Sequence, residues 1–452
     1  MKKTILALML ALALVLSGCS LVVKDPAVDA KQVILDINGE TVDKQTVSNA
    51  FNSLLNQEYQ MQQMYQMYGM QAPPIDEDAL LEQAKDASIR RVILKQQAAQ
   101  QGIDQLDDAA KAELTVKQDE EWKNTLDWVK QNYLPNTELT GEELEHEIEH
   151  TAEDLGITRQ AADDAVLEQF VSDKLEQAAT QDVTVPDADV QADFDAKVEA
   201  NKTAYTDDPN TYGNAVNGGT TVYWAPAGYR MIKQVLIKFL PEDQQKIDAK
   251  QAEKSPADEA LAAAQAAVTQ NEQELKGEGL SEEDKKALEE KTSALVAAVT
   301  EAQQKVDQLA AELEALKQAG YAAILPKAQE VVTRAQTEPF DTLVSELNED
   351  TGMPAAGYAV REGFTSFDEA FVGPAMALAA VGDVAQPSPG IYGYYVVQYA
   401  ADVPEGPVAF DSVKTALHDA LLQTKKTEAW DAAVQGWTDA AQIQEHMDRM
   451  TN

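Results

Sequence analysis

Two stretches of β-type residue pattern, far apart in the chain, predict a pair of neighbouring strands. In 229–239 the apolar Met231, Val235 and Ile237 alternate with polar residues, with one break in register near Lys233. The stretch 393–399 is rich in Tyr and Val, which suit a pleated and half-buried surface. A helical region separates the two stretches, so their pairing would close a single α+β module.

Turn and helix signals fill the region around the second strand. The pattern predicts a helix over 366–378, a turn at Gly382 and Asp383, and a Pro/Gly-rich hairpin loop over 387–390. A further helix includes 340–345, and Gly357 followed by Tyr358 marks a turn.

The N-terminal half has mostly helical periodicity. A strand and return over 33–42 turn at Asn38 and Gly39, and the next helix begins at Asp43 with Asp43 or Thr46 as its cap. Further helices are expected at Glu77–Gln101, 106–133, 141–156, 158–181 and from Asp187. A loop between domains is expected over 206–227, which is rich in Asn, Gly, Asp and Pro.

Methionines and tyrosines cluster at the end of the first long helix, before Pro73 and Pro74. The cluster consists of Tyr59, Met61, Met64, Tyr65, Met67, Tyr68 and Met70. Methionine is flexible and polarizable, and it serves on surfaces that accept varied apolar partners. The sequence leaves two interpretations open: a surface that binds unfolded chains, or core packing followed by a mobile loop.

A heptad repeat indicates an inserted antiparallel coiled-coil hairpin over 252–320. One set of residues recurs every seven positions along the chain, and a second set with the same spacing completes the seam. These positions are Leu288, Thr292, Leu295, Val299, Ala302, Val306, Leu309, Leu313 and Leu316. A partner helix is expected to begin at Pro256 as its first residue and to turn through Gly277 and Gly279. The arm is either a spacer or a contact for another protein or a second copy.

Charge limits the classes of partner. The formal net charge is −41 over 452 residues, and 44% of the residues are hydrophobic, enough for real cores in about two to three domains. Such a surface repels phosphates, which argues against nucleic acid and anionic lipid headgroups. The charge either keeps the chain soluble or also attracts basic clients and loosely held cations.

The first residues have the pattern of a lipoprotein signal peptide. Lys2 and Lys3 precede an apolar run over 5–16 that is short for a membrane span, and small residues then precede Cys19. Cys19 is the only cysteine, so no disulfide forms within one copy. We expect cleavage before Cys19, lipid on its thiol, and an extracytoplasmic protein tethered to the membrane.

A short zinc-like motif occurs on an acidic helix. His146, Glu147 and His150 match H-E-x-x-H, which places two imidazoles on one helix face. No third ligand at a suitable spacing is apparent, and the surrounding residues are nearly all charged. We therefore favour a solvated acidic helix over a zinc hydrolase, and expect no metal site and no cofactor.

The order of motifs in the C-terminal half resembles the parvulin family of peptidyl-prolyl isomerases. It runs from the strand Q-V-L-I through the F-D-T-L-V-S helix, Gly357-Tyr358, the F-D-E-A-F helix and G-D-V to G-Y-Y-V-V-Q-Y. With V-I-L-D-I-N-G-E-T-V near the start, the chain is similar to the exported PrsA and SurA foldases. The resemblance implies a mostly helical α+β fold. After the signal peptide (1–19) come an N-terminal chaperone domain (33–205) and a linker (206–227). A parvulin-like domain (228–402), interrupted by the arm, follows, and a C-terminal helix (403–452) packs on the N-terminal domain.

The resemblance also implies a site. An isomerase lowers a barrier of about 18–20 kcal/mol by holding the proline ring in an apolar slot while polar groups weaken the amide conjugation. The family's apolar wall corresponds to Phe367, Phe371 and Met376, next to Tyr358, and its acidic position corresponds to Asp350.

The two family histidines are replaced. Gln234 and Tyr395 stand at their positions, and the loop around Asp350 lacks the family's G-G-D-L-G run. Gln234 and Tyr395 are able to hydrogen-bond each other or a substrate carbonyl, but they lack imidazole chemistry. We therefore expect a folding factor for unfolded or partly folded exported polypeptides with weak or lost isomerase activity. The alternative is a non-catalytic envelope scaffold that binds a partner through its coiled-coil arm.

Overall fold

The computed structural model describes residues 26–277 and 279–450, which form two compact units. One unit combines the chain up to Val185 with the chain from Asp419 onward, and the other comprises Pro186–His418. Long helices and small antiparallel sheets make up both, which confirms the predicted helix-rich α+β fold class. The expected signal peptide and Cys19 lie outside the described residues.

The first unit is built on a three-stranded sheet that joins both ends of the chain. Strands β1 (Val33–Ile37) and β2 (Glu40–Asp43) form a hairpin, and β9 (Ile443–Glu445) pairs antiparallel with the other edge of β1. Asn38 adopts a positive φ of 55° in the predicted turn. The Asp43 side chain accepts a hydrogen bond from the Thr46 N–H at 2.9 Å, so Asp43 is the helix cap.

Helices cover this sheet. They are α1 (Pro26–Asp29), α2 (Lys44–Met67), α3 (Glu77–Gln101), α4 (Asp108–Tyr133), α5 (Glu142–Asp154) and α6 (Arg159–Thr180). The last long helix, α13 (Phe410–Ala440), contributes Trp430 and Val434, which pack with Ala98 and Leu175. A 3₁₀ turn at Met447–Arg449 follows β9. The core of the unit therefore contains residues from both ends of the sequence.

The second unit contains a four-stranded sheet in the order β5-β4-β7-β6. Its strands are β4 (Arg230–Lys238), β5 (Tyr358–Val360), β6 (Ser388–Gly390) and β7 (Gly393–Asp402). Val235 lies opposite Val396, which confirms the predicted pairing of the two distant strands. The break in register lies between Met231 and Ile232, slightly before the expected position.

Strand β4 is buried on both faces, so the predicted alternation of buried and exposed residues is only partly correct. Val235 and Ile237 face a core formed with helices, while Ile232 and Leu236 face a second core. Gln234, expected on a polar face, is only 4% exposed. A central strand between two packed layers is apolar along most of its length.

The segment 206–227, expected to be a linker, is folded. After α7 (Asp187–Tyr205) it contains α8 (Thr211–Asn217) and β3 (Trp224–Ala225), which pairs with β8 (Gly406–Pro407). Tyr212 and Trp224 are buried, and Tyr212 packs against Tyr229 with ring centroids 4.6 Å apart. These aromatic residues attach the Asn- and Gly-rich segment to the second unit, whose first residue is Pro186 rather than a residue after 205.

The predicted hairpin consists of α9 (Pro241–Leu275) and α10 (Glu282–Arg334). All nine heptad positions of α10 are buried or half-buried. Pro256 is not a first helical residue, because Pro241 takes that position and Pro256 lies inside α9. The hairpin is also longer than expected, since α10 continues to the sheet, where Ile324 and Val331 join the core.

Two short helices and an edge strand complete the unit. The helices are α11 (Phe340–Leu347) and α12 (Glu369–Ala377). Instead of the loop expected at 387–390, Ser388–Gly390 forms edge strand β6 on β7. Pro389 is compatible with an edge strand because its missing N–H leaves no bond unmade within the sheet. None of the helices in the described part of the chain is long and apolar enough to cross a membrane.

Candidate functional site

A cleft of about 420 Å³ opens on the second unit between β4, β7 and α12. Its lining combines carboxylates, aromatic rings and one amide. The lining residues are Gln234, Leu236, Lys238, Asp350, Tyr358, Ser366, Phe367, Asp368, Phe371, Ile391, Tyr392 and Tyr395. The structure thus brings together six of the seven residues that the resemblance assigns to the site, all except Met376.

The backbone of β4 holds one wall of the cleft. Strand β5 pairs with β4 only as far as Ile232. Beyond that residue, the N–H groups on this edge of β4 need other acceptors. The Asn348 side chain accepts from the Leu236 N–H at 2.9 Å, and the Met353 sulfur lies 3.3 Å from the backbone nitrogen of Gln234. Side chains of the 348–353 loop therefore replace a strand and fix that loop beside Gln234.

Asp350 is the centre of a hydrogen-bond cluster. Its Oδ2 accepts from Gln234 Nε2 at 2.7 Å and from the Tyr358 hydroxyl at 2.8 Å. Gln234 Oε1 is buried and has no hydrogen-bond partner among the described residues. A buried acceptor without a partner costs about 1–3 kcal/mol, so this oxygen is suited to accept a donor from a ligand.

Tyr395 belongs to a second cluster, centred on Asp368. Tyr395 lines the cleft beside Asp368, whose negative charge acts on its hydroxyl, and no hydrogen bond joins it to Gln234 in the described part of the chain, so the two substituted positions do not pair as the sequence suggested. Asp368 also accepts from the Ile391 N–H at 2.7 Å and caps α12 through the Ala370 N–H at 3.0 Å. Sequence reasoning missed Asp368, although an Asp directly before a helix is a recognisable cap.

Two of the cleft tyrosines, Tyr358 and Tyr395, keep their protons well above neutral pH. Burial raises the pKa of Tyr358, and its hydrogen bond to Asp350 raises it further. Burial likewise raises the pKa of Tyr395, with the negative charge of Asp368 as the next cause. Each of these phenols is therefore neutral and lies beside a carboxylate.

Aromatic rings form the apolar part of the cleft. Phe367 and Phe371 lie one turn apart, with ring centroids 5.8 Å from each other, and Phe371 lies 6.0 Å from Tyr395. Tyr358 packs on Phe367 at 4.8 Å. These edge-to-face contacts fix the rings around a slot of suitable character for a proline ring.

Met376 does not line this cleft. It lines a separate cavity of about 550 Å³ together with Arg230, Arg361 and Tyr399. The Arg230 guanidinium donates to the carbonyl oxygens of Met376 and Leu378, at 3.2 and 2.8 Å, and stacks on Tyr399. Met376 follows a full turn of α12 after Phe371, and the helix carries it away from the cleft toward its C-terminal end.

The zinc-like motif lies on the exposed face of α5, in the first unit. The rings of His146 and His150 stack with centroids 6.5 Å apart, and His150 Nδ1 lies 3.4 Å from Asp154 Oδ2. No group of three or more His, Cys, Asp or Glu side chains placed to hold a metal occurs within 26–277 and 279–450.

The cleft offers hydrogen bonds and an apolar wall rather than a nucleophile. The phenol oxygens of Tyr358 and Tyr395 and the orphan amide oxygen of Gln234 line a slot bounded by Phe367 and Phe371. Such groups are able to bind an extended peptide through its carbonyl and N–H groups. They lack an imidazole, which changes between donor and acceptor near neutral pH.

Comparison with known proteins identifies several similar chains. No protein-family model matches the chain. The foldase protein PrsA of Clostridium botulinum strain Langeland is 27% identical over 109 residues, which is 24% of this chain and 32% of that protein. PrsA of strain Okra is 28% identical over the same length. The match thus spans about a third of the length of the curated relatives.

Two solved structures with distant similarity are a SurA-like chaperone and a PrsA isomerase. A SurA-like chaperone structure from Campylobacter jejuni is 13% identical and covers 92% of this chain and 100% of its own, with a TM-score of 0.24. The peptidylprolyl isomerase PrsA from Bacillus cereus is 11% identical over 75% of this chain and 88% of its own, with a TM-score of 0.17. By sequence, this chain is similar to the PrsA foldases.

Proposed function

We propose that this protein is an extracytoplasmic folding factor that binds unfolded or partly folded exported polypeptides. The observation that carries the proposal is the cleft, where Phe371 and Phe367 adjoin the Asp350 and Asp368 clusters at the positions implied by the parvulin resemblance. The sequence similarity to PrsA foldases supports the same class.

The cleft binds peptides but catalyses isomerisation weakly or not at all. Gln234 is held by a hydrogen bond to Asp350, and Tyr395 is buried beside the negative charge of Asp368. Neither side chain exchanges protons near neutral pH as a histidine does. Binding through the aromatic wall does not require that exchange.

Lipid on Cys19 would keep the protein at the membrane face. The proposal rests on the residue pattern before Cys19. Tethering would concentrate the protein where exported chains emerge. Growth in labelled palmitate, followed by comparison of the parent with Cys19→Ala, tests it: label should enter only the parent.

A proline-limited refolding assay on the full chain tests the catalytic part. We expect little acceleration by the parent chain and a gain for the double variant Gln234→His, Tyr395→His. Robust catalysis by the parent that Phe371→Ala abolishes would contradict the proposal. Phe410→Ala, which removes an aromatic ring of the same unit outside the cleft, is the matched control.

Suppression of client aggregation separates this proposal from the scaffold alternative. A folding factor should keep a chemically unfolded protein soluble at stoichiometric ratios, whereas a scaffold that works through the arm should not. Deletion of the arm residues 252–320 leaves suppression intact if clients bind at the cleft and in the first unit.

A further inference from the structure

The first unit carries an exposed apolar surface that the cleft does not explain. It lies at the end of α2 and in the turn that follows. Its members are large apolar side chains exposed by 42% to 80%: Met61, Met64, Met67, Tyr68 and Met70. We call these five residues the methionine patch.

The patch lies beyond the part of α2 that packs on the core of the unit. That earlier part presents Phe51 and Leu54 to the core. Met61, Met64 and Met67 recur every three residues further along the helix, so successive methionines are neighbours on its surface, and all three are exposed. A cluster of large exposed apolar side chains marks an interaction site.

The end of α2 is built to hold the patch together. The Met70 N–H donates to the Tyr65 carbonyl at 2.9 Å and the Gly69 N–H to the Gln66 carbonyl at 3.0 Å, with Gly69 at a φ of 67°. These bonds form a Schellman motif, which turns Met70 back along the helix. The patch is therefore a formed surface rather than part of an irregular loop.

The patch lies in an uncharged stretch with acidic residues at both ends. No Asp, Glu, Lys or Arg occurs between Glu58 and Asp76, in a chain of net charge −41. Acidic residues border the patch on both sides, with Glu58 before it and Glu77 and Asp78 after it. A complementary ligand is apolar at its centre and basic at its ends.

We propose that the methionine patch binds an extended apolar segment of an unfolded polypeptide flanked by lysine or arginine. This inference deepens the proposed function, since it names the substrate class for a second binding surface. Flexible methionines adapt to varied apolar side chains, which suits a site that meets many sequences. Membrane surfaces fit less well, because helices that lie on them carry Lys and Arg on the polar face, and the part of α2 next to the patch has none.

The test uses three short fluorescent peptides and the full chain. The first has a Leu/Phe core with Lys flanks, the second the same core with Glu flanks, and the third a Ser/Gly core with Lys flanks. We expect the first to bind tightest and the triple variant Met61→Gln, Met64→Gln, Met67→Gln to weaken it by about tenfold. The double variant Val116→Gln, Leu167→Gln removes exposed apolar side chains elsewhere in the unit and should leave binding unchanged.

Several results would overturn the inference. They are equal binding of the first peptide by parent and triple variant, equal binding of the first and third peptides, and equal loss in the control variant. Self-association that the triple variant abolishes would assign the patch to a second copy, and binding to neutral phosphatidylcholine vesicles without peptide binding would assign it to a membrane. The single variant Met67→Gln, at the most exposed position, replaces the triple variant if circular dichroism shows that the latter is misfolded.

Aggregation suppression distinguishes failure of this inference from failure of the proposed function. If the parent chain does not suppress aggregation of an unfolded client, the folding-factor proposal fails. If parent and triple variant suppress it equally, only the role of the methionine patch fails.

Discussion

The cleft and the methionine patch present apolar surface in opposite ways. In the cleft, Phe371 and Tyr395 are nearly buried, and Asp350 is fixed by hydrogen bonds from Gln234 and Tyr358. In the patch, Met67 is 80% exposed and no charged residue is nearby in sequence. A rigid aromatic slot selects one shape, such as a proline ring, whereas mobile methionines accept many shapes. One chain thus combines a selective surface and a permissive one, in two separately packed units.

Removal of residues 419–452 should have the largest effect. It should unfold the first unit, which carries the methionine patch, and leave the second unit, which carries the cleft, folded. Strand β1 would lose its partner β9, and Ala98 and Leu175 would lose Trp430. The loss should exceed what the first unit can sustain, given that domains are stable by about 5–15 kcal/mol. Hydrogen exchange should show lost protection in β1 and α3 but retained protection in β4 and β7.

Adding residues 419–452 as a separate peptide should restore part of that protection. Full protection of β1 in the truncated chain, without the peptide, would mean that the C-terminal segment is dispensable for the first unit.

Gly390→Ala should damage the cleft alone. A Cβ at Gly390 would lie 2.3 Å from both Asp368 Oδ2 and Tyr395 Cε2, so both side chains or the backbone of β6 must move. Overpacking of this kind costs about 1–3 kcal/mol. Chemical denaturation of the full chain should show this loss, together with weaker binding of a proline peptide.

Gly436→Ala is the matched control, because a Cβ at that helical position meets nothing within 4 Å. It should be neutral or stabilise α13 by up to about 1 kcal/mol. If Gly390→Ala behaves like the control, the cleft is less tightly packed than its distances indicate.

Asp350→Asn should have a smaller effect than Gly390→Ala. The amide oxygen can replace Oδ2 and accept from Gln234 Nε2 and the Tyr358 hydroxyl, but the amide N–H₂ then faces the Gly352 N–H, which donates to Oδ1 in the parent. We expect a loss of about 1–3 kcal/mol and a measurable change in proline-peptide affinity.

Asp341→Asn removes a carboxylate of the same unit from an exposed ion pair with Lys233. Surface pairs contribute about 0–1 kcal/mol, so this variant should melt almost like the parent. Equal losses in the two variants would show that Asp350 has no special role in the cleft.

The sequence predicted local elements best where periodicity and caps agree. Helix α3 has the predicted bounds, Glu77–Gln101, and the pairing of Val235 with Val396 followed from the need of each strand for a neighbour. The heptad repeat predicted the seam of α10, because a two-helix seam depends on spacing alone.

Long-range packing could not be predicted in the same way. Composition marked 206–227 as a loop, but the burial of Tyr212 and Trp224 depends on contacts with distant residues. The position of Tyr395 beside Asp368 likewise arises from the approach of α12 to β7. Whether Met61 and Met64 face the core or the solvent depends on where the core of the unit lies, which helical spacing near the end of α2 did not reveal.

Alkaline pH offers the mildest test of the cleft, because the first measurement changes no residue. Other tyrosines and the lysines titrate in the same range, so the contribution of the cleft is the difference between the parent and Tyr358→Phe. The pKa of Tyr358 and that of Tyr395 are raised in the folded protein, whereas an unfolded tyrosine titrates near pH 10, so above that pH the folded state binds more protons than the unfolded state. This contribution to stability is fully present below about pH 10 and is lost as the pH rises toward the folded values. Tyrosinate absorbance combined with melting curves should show this loss of stability. Tyr358→Phe should reduce the loss, and Tyr68→Phe, at an exposed position, is the control. If Tyr358→Phe leaves the alkaline loss unchanged, the Asp350 cluster does not hold its phenol as the distances indicate, and the contrast between a rigid cleft and an adaptable patch is weakened.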